Sequence, residues 1–142
     1  MKQDSKQLSL NQQFGYVFGA IYAVVGVVGF AITPGVGFFS THGKDLIFFG
    51  LNPFHNLIHI AVGVLFIVGA VGGAKLSSVI NVLIGAVYLV VAILGLFIIG
   101  TSFNIIALNS ADNVLHFVSA VAALGVGLFG RKSVNALKSV SI

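Results

Sequence analysis

The chain has 142 residues, 58% of them hydrophobic and 7% charged. Soluble domains carry about a quarter of their residues as charges, and a fold of this size has too little interior to hide so much apolar surface. A water-soluble fold is therefore excluded; the net charge of +4 is too small and scattered for nucleic-acid binding, and the lack of cysteine removes disulfides, thiolate metal sites and thiol nucleophiles.

Four apolar runs approach the roughly 20 residues that a helix needs to cross a bilayer. Residues 1–13 are polar, carry Lys2, Asp4 and Lys6, and read as a cytoplasmic tail. The first span is expected over residues 14–32. It is longer than a signal h-region, and Thr33-Pro34-Gly35 follows it instead of a cleavage site, so it is expected to stay in the membrane. Gly15, Gly19, Gly26 and Gly29 fall near one another on this helix and permit close backbone approach in lipid. Residues 34–51 form the only long connection. Its polar tip of His42, Lys44 and Asp45 lies between Phe38-Phe39 and Phe48-Phe49, which suits a loop resting on the headgroups.

The second span is expected over residues 53–71. Asn52 is a good N-cap, and Pro53 sits at the first helical position, where its missing N–H costs nothing. Gly72-Gly73 ends this span, and Lys75 with Ser77-Ser78 is expected to form a tight turn. The third span follows over residues 79–99. The fourth, over residues 110–129, is capped by Asn109 and ended by Gly130-Arg131-Lys132. Residues 131–142 remain as a second cytoplasmic tail.

The chain says one thing twice. Leu51-Asn52-Pro53-Phe54-His55-Asn56-Leu57-Ile58-His59 returns fifty-seven positions later as Leu108-Asn109-Ser110-Ala111-Asp112-Asn113-Val114-Leu115-His116. The odd spans also match: Gly19-Ala20-Ile21-Tyr22, with Gly29, corresponds to Gly85-Ala86-Val87-Tyr88, with Gly95. Residues 14–73 and 79–130 are thus two copies of one helical hairpin. Each copy has an even number of spans, so both insert the same way round, as a parallel repeat with a pseudo-two-fold axis along the membrane normal. The expected fold is all-α: an antiparallel four-helix transmembrane bundle made of two tandem hairpins within residues 14–130. Lys2, Lys6, Lys75, Arg131, Lys132 and Lys138 fall on one side and only Lys44 on the other, which puts both termini in the cytoplasm.

The chemistry-bearing side chains lie in the repeated motif. Residues four apart share a helix face, so His55 stacks with His59 and Asp112 with His116. The last two imidazoles lie about 10 Å below the helix ends, and the symmetry aims His59 at His116 and His55 at Asp112. Polar groups at such depth default to a functional hypothesis. His55, His59, Asp112 and His116 offer four N/O ligands for zinc or another divalent metal. Alternatively, His59 or His116 holds a tetrapyrrole, haem or chlorophyll; or the His/Asp groups titrate along a proton or solute path. Against these stands a structural reading, in which Asn52 and Asn109 cap, Asp112 bonds back to Asn109, and the imidazoles bond Tyr22, Tyr88, Asn56 or Asn113 across helices. His42 reads as solvated. No hydrolase HExxH motif accompanies the histidine pair, and the only acids are Asp4, Asp45 and Asp112, so no enzyme is expected.

Asn52-Pro53-x-His55-Asn56-x-x-His59, Gly85-x-x-Tyr88 and Asn109-x-x-Asp112-Asn113-x-x-His116 resemble the motifs of a bacterial family of four-span membrane proteins, known only as a domain of unknown function and widespread in actinobacteria and cyanobacteria. The resemblance covers about residues 14–130. It implies an integral protein of a bacterial inner or thylakoid membrane and supplies no activity and no functional residues. The functional expectation is a small non-enzymatic membrane protein, alone, as a homo-oligomer or as an accessory subunit of a larger membrane complex. Its outward-facing His/Asp cluster stabilises the bundle and is a candidate divalent-metal site.

Overall fold

A computed structural model describes residues 7–139, with only the helical backbone of residues 131–139. The two expected cytoplasmic tails rest on Lys2, Asp4 and Lys6 and on the side chains of Arg131, Lys132 and Lys138, and all of these lie outside the described residues. Among the described residues four helices make the body: α1 (Leu10–Ile32), α2 (Pro53–Val71), α3 (Ala74–Ile98) and α4 (Ser110–Ser139). Between α1 and α2 lies a small antiparallel hairpin of β1 (Lys44–Leu46) and β2 (Phe49–Leu51), pairing Lys44 with Leu51 and Leu46 with Phe49. Each helix is long and apolar enough to cross a bilayer, α4 through its segment Ser110–Gly130. The protein is an all-α membrane protein. The β-hairpin and the 99–109 loop share one end of the bundle, here called the hairpin end; the other is the terminal end.

Local chemistry sets the helix limits. α1 begins at Leu10, four residues before the expected start, because Ser9 and Gln12 form a reciprocal capping box. Asn52 caps α2 by accepting from the His55 backbone N–H at 2.8 Å, and Pro53 is the first helical residue, as expected. The turn to α3 corrects the sequence reading. Gly72 and Gly73 make it alone, with Gly73 at φ 101, a conformation suited to glycine. Ser77 and Ser78 are therefore helical and buried, and each hydroxyl donates at 2.8 Å to a carbonyl of a neighbouring helix, Gly69 of α2 and Gly127 of α4. α4 likewise runs through Gly130, since a lone glycine weakens a helix without ending it. The loop tip is also corrected. The turn of the β-hairpin carries Ile47 and Phe48, both about three-quarters exposed, while Lys44 and Asp45 lie back along β1.

The two helical hairpins are the tight units, and their glycines explain why. A Cβ on Gly19 would lie 2.9 Å from the Gly63 carbonyl oxygen of α2; one on Gly85 would lie 2.8 Å from the Leu124 nitrogen of α4. On Gly29 or Gly95 it would run into the amide of Asn56 or Asn113. All four α1 glycines face α2, so the small-residue stripe is used inside the hairpin and not as an outer face for another copy. The hairpins join through a central cluster of Tyr22, Phe66, Ile84, Tyr88, Ala120 and Ala123, where the Tyr22 and Tyr88 rings stack at 5.6 Å. Large aliphatic residues such as Val24, Leu83, Val87, Leu94 and Val121 point outward. Small and polar residues fill the centre, the distribution expected when lipid surrounds the bundle.

Candidate metal centre

The repeated motif opens α2 and α4, and its third helical residues are His55 and Asp112. Both reach one residue of β2. The Gly50 N–H donates to Asp112 Oδ2 at 2.9 Å, and the Gly50 carbonyl lies 3.1 Å from His55 Nδ1. Gly50 has no room for a side chain: a Cβ would sit 2.5 Å from the Ala107 carbonyl oxygen. The β-hairpin thus ties the starts of the two repeat helices together. Asp112 also accepts from the Asn109 N–H at 3.0 Å, while Asn109 Oδ1 accepts from the Asp112 N–H at 2.9 Å. This is the capping box expected from the sequence.

One turn deeper the imidazoles meet. His55 and His59 of α2 have ring centroids 4.4 Å apart, and His55 lies 5.8 Å from His116 of α4. One nitrogen from each of His55, His59 and His116 lies within 4.8 Å of the other two, and all three residues are buried. Asp112 is not in this group. Its Oδ2 accepts two backbone N–H groups, from Gly50 in β2 and from Asn109 at the α4 N-cap, so of the four expected ligands the structure gathers the three imidazoles and leaves the carboxylate outside their cluster. The pairing also differs from strict symmetry: His55 turns toward the histidines, because Gly50 lies between it and Asp112.

The polar state of these rings is informative. Gly50 O can only accept, so a neutral His55 bonded to it carries its proton on Nδ1, and its Nε2 is then the nitrogen with a lone pair to offer; the Ile106 carbonyl also borders the ring. Among the described residues that Nε2 has no hydrogen-bond partner, and neither have His59 Nδ1 and His116 Nδ1. Buried polar atoms are nearly always satisfied; three clustered imidazoles, each with an unsatisfied nitrogen, are a donor set suited to an acceptor of lone pairs. The expected histidine–tyrosine bonds are ring contacts instead. Tyr22 meets His59 edge-on at 5.4 Å, and Tyr88 stacks on His116 at 5.0 Å. The Tyr22 hydroxyl donates to Ser119 Oγ at 2.9 Å. Asn56 Nδ2 donates to Thr33 Oγ1 at 3.0 Å, and Asn113 packs on Gly95.

A family model described as a domain of unknown function, DUF4383, matches residues 12–129. The chain belongs to the DUF4383 family. No curated protein and no solved structure matches this chain.

Several polar residues of this DUF4383 domain escaped the sequence reading. A second polar layer lies at the terminal end, where Asn81 Nδ2 donates to Asn11 Oδ1 at 2.9 Å and Gln12 Nε2 donates to the Ala70 carbonyl at 2.9 Å. Asn81 and Ser119 were discoverable as lone polar residues in apolar spans. Asn11 was hidden because α1 starts earlier than its apolar run. The role of Gly50 needed the β-hairpin, which three-residue strands do not announce.

Proposed function

We propose that this domain is a membrane-embedded metal-binding protein in which His55, His59 and His116 hold one divalent ion, such as zinc, and so clasp the two hairpins across the bundle. The observation that carries this reading is three buried imidazoles that bring one nitrogen apiece within 4.8 Å of one another, each ring having a nitrogen without a hydrogen-bond partner among the described residues. A metal at about 2.0–2.1 Å from each nitrogen sets them roughly 3.4 Å apart, so the triangle contracts modestly from its present limit of 4.8 Å. The Gly50 carbonyl supplies the outer contact that fixes the His55 tautomer, as metal-binding imidazoles require. Zinc is neutral to redox chemistry and accepts three nitrogens plus one further ligand.

We read the ion's role as structural and the protein as a non-enzymatic accessory component of a larger membrane assembly. The exposed Ile47-Phe48 tip offers that assembly a contact. In this reading the termini lie in the cytoplasm, following the lysine distribution, and the metal site sits toward the outer face of a bacterial inner membrane. The tetrapyrrole alternative is less well supported. The cavities beside His59 and His116, about 100 and 230 Å³, fall below the roughly 300 Å³ at which small-molecule sites begin, which leaves no room for a macrocycle.

The test is elemental analysis of detergent-purified protein after zinc loading and desalting. One zinc per chain is expected, with loss in His59→Ala and His116→Ala and retention in Asp112→Asn. Absence of stoichiometric metal in the wild-type protein, or a Soret band as purified, overturns the proposal.

A further inference from the structure

One departure from the repeat lies inside the second helical hairpin, at the hairpin end of the bundle. Asn56 and Asn113 are held alike: each amide packs on a glycine of the facing helix, Gly29 or Gly95, with the same atoms nearest. Asn56 Nδ2 donates to Thr33 Oγ1 at 3.0 Å, and that hydroxyl donates in turn to the Gly29 carbonyl at 2.9 Å. Thr33 stands four residues after Gly29, and the residue four after Gly95 is Ile99. Ile99 cannot accept. Asn113 is only 8% exposed, and its side chain makes no hydrogen bond among the described residues. Its Oδ1 is sealed from the surface, while its Nδ2 stays open to the cleft that Asn113 lines.

That cleft is a cavity of about 560 Å³ between α3 and α4, bordered by Ala92, Leu96, Ile99, Ser110, Asn113 and Phe117. A second exchange explains its presence. In the first hairpin Gly26 lets α2 come close: a Cβ on it would lie 2.6 Å from the Asn56 carbonyl oxygen. The matching residue in α3 is Ala92, whose methyl group needs that space and holds α4 off. The volume is that of a small-molecule site. Its rim faces lipid, with Leu96 and Phe117 both more than half exposed, and no charged side chain borders it. Its polar groups are the Asn113 amide and the Ser110 hydroxyl. The apolar segment of α4, Ser110–Gly130, has 21 residues and is roughly 30 Å long, the thickness of the hydrocarbon core. Ser110 therefore sits at the edge of that core and Asn113 about one turn inside it. At this level the acceptors a bilayer offers are the ester carbonyls that join acyl chains to the headgroup region. We propose that the α3–α4 cleft binds one diacyl glycerolipid of the surrounding bilayer, with an ester carbonyl accepting from Asn113 Nδ2 and an acyl chain lying along Leu96 and Phe117. The cleft shares no residue with the three imidazoles, and this inference stands or falls apart from the metal reading.

The test compares two lipids that differ only at the acceptor: dioleoyl phosphatidylglycerol and the diether lipid with the same chains and headgroup. Each is titrated into detergent-purified wild-type protein, and bound lipid is counted by native mass spectrometry. One diester lipid per chain is expected to bind about fivefold more tightly than the diether, the worth of one hydrogen bond. The preference is expected with and without prior chelation, so failure of the metal reading leaves it standing. Ile99→Thr places at the matching position the hydroxyl that Thr33 gives Asn56, and Asn113→Leu removes the donor; each is expected to erase the preference. A diester lipid with a diazirine in one acyl chain is expected to label the peptides that carry Leu96 and Phe117. Loss of the preference in either variant supports the proposal. Equal affinity for the two lipids in wild-type protein overturns it, as does a preference that survives in both variants or labelling spread evenly over all four helices.

Discussion

The first and second helical hairpins are the same object built twice, and they differ where the chemistry is. Within each hairpin the architecture is repeated closely. Gly29 receives Asn56 and Gly95 receives Asn113; Gly19 and Gly85 admit the facing helix; Asn52 and Asn109 cap. Departures cluster at the interface between the hairpins. His55 answers to Asp112, Val62 to Ser119, and an ordered β-hairpin precedes α2 where only a short turn-rich loop precedes α4. Packing of a hairpin in lipid demands the same small-residue fit in either copy. The seam between copies carries no such demand, and there one copy supplies two imidazoles while the other supplies one imidazole and a capping carboxylate.

The strongest way to break this comparison is to attack a repeated contact in each copy separately. Gly29→Ala drives a methyl group into the Asn56 amide, and Gly95→Ala does the same to Asn113. Overpacking of this kind costs about 1–3 kcal/mol. The two substitutions are expected to lower the unfolding midpoint in detergent by similar amounts. Sensitivity at only one site would show that the hairpins are not equivalent units. A smaller effect sharpens the contrast at the third helical position. Asp112→Ala leaves the Gly50 and Asn109 N–H groups unpaired and is expected to cost about 1–2 kcal/mol while metal content stays unchanged. His55→Ala is expected to abolish metal binding. Metal loss in Asp112→Ala would return the carboxylate to the ligand set.

Much of this was legible because polar groups in lipid are few and costly. The paired Asn/His motifs, the spacing of Tyr22 and Tyr88 and the α1 glycines were enough to place four helices, two hairpins and three histidines facing inward. Sequence failed where the deciding interaction was made by backbone. Asp112 looked like a ligand because its side chain is an acid, yet Gly50 and Asn109 N–H groups claim it. Ser77 and Ser78 looked like a turn because serine favours turns, but Gly73 already makes the bend and frees them to bond Gly69 and Gly127. Residue type announces what a side chain can do; only the neighbouring backbone decides which of those options is taken.

The finest test concerns the one hydrogen bond that distinguishes the two clefts between the hairpins, α1–α4 and α2–α3, where Ser119 in the first answers to Val62 in the second. Ser119→Val removes the acceptor of Tyr22 and makes the α1–α4 cleft chemically like its twin. Interhelical side-chain bonds in membranes average about 0.6 kcal/mol, so the loss of stability should be small and should be non-additive with Tyr22→Phe, which removes the other half of the same bond. A double-mutant cycle in detergent measures this directly. Val62→Ser should move stability the opposite way by a comparable amount, since it satisfies Tyr88 without disturbing the helix face. Opposite signs would mean that the Val62–Ser119 difference sets the relative stability of the two clefts, one closed by a Tyr–Ser hydroxyl pair and one without it. Equal signs would mean that Tyr88 tolerates its solitude for packing reasons alone, and the asymmetry between the hairpins would then stop at the histidines.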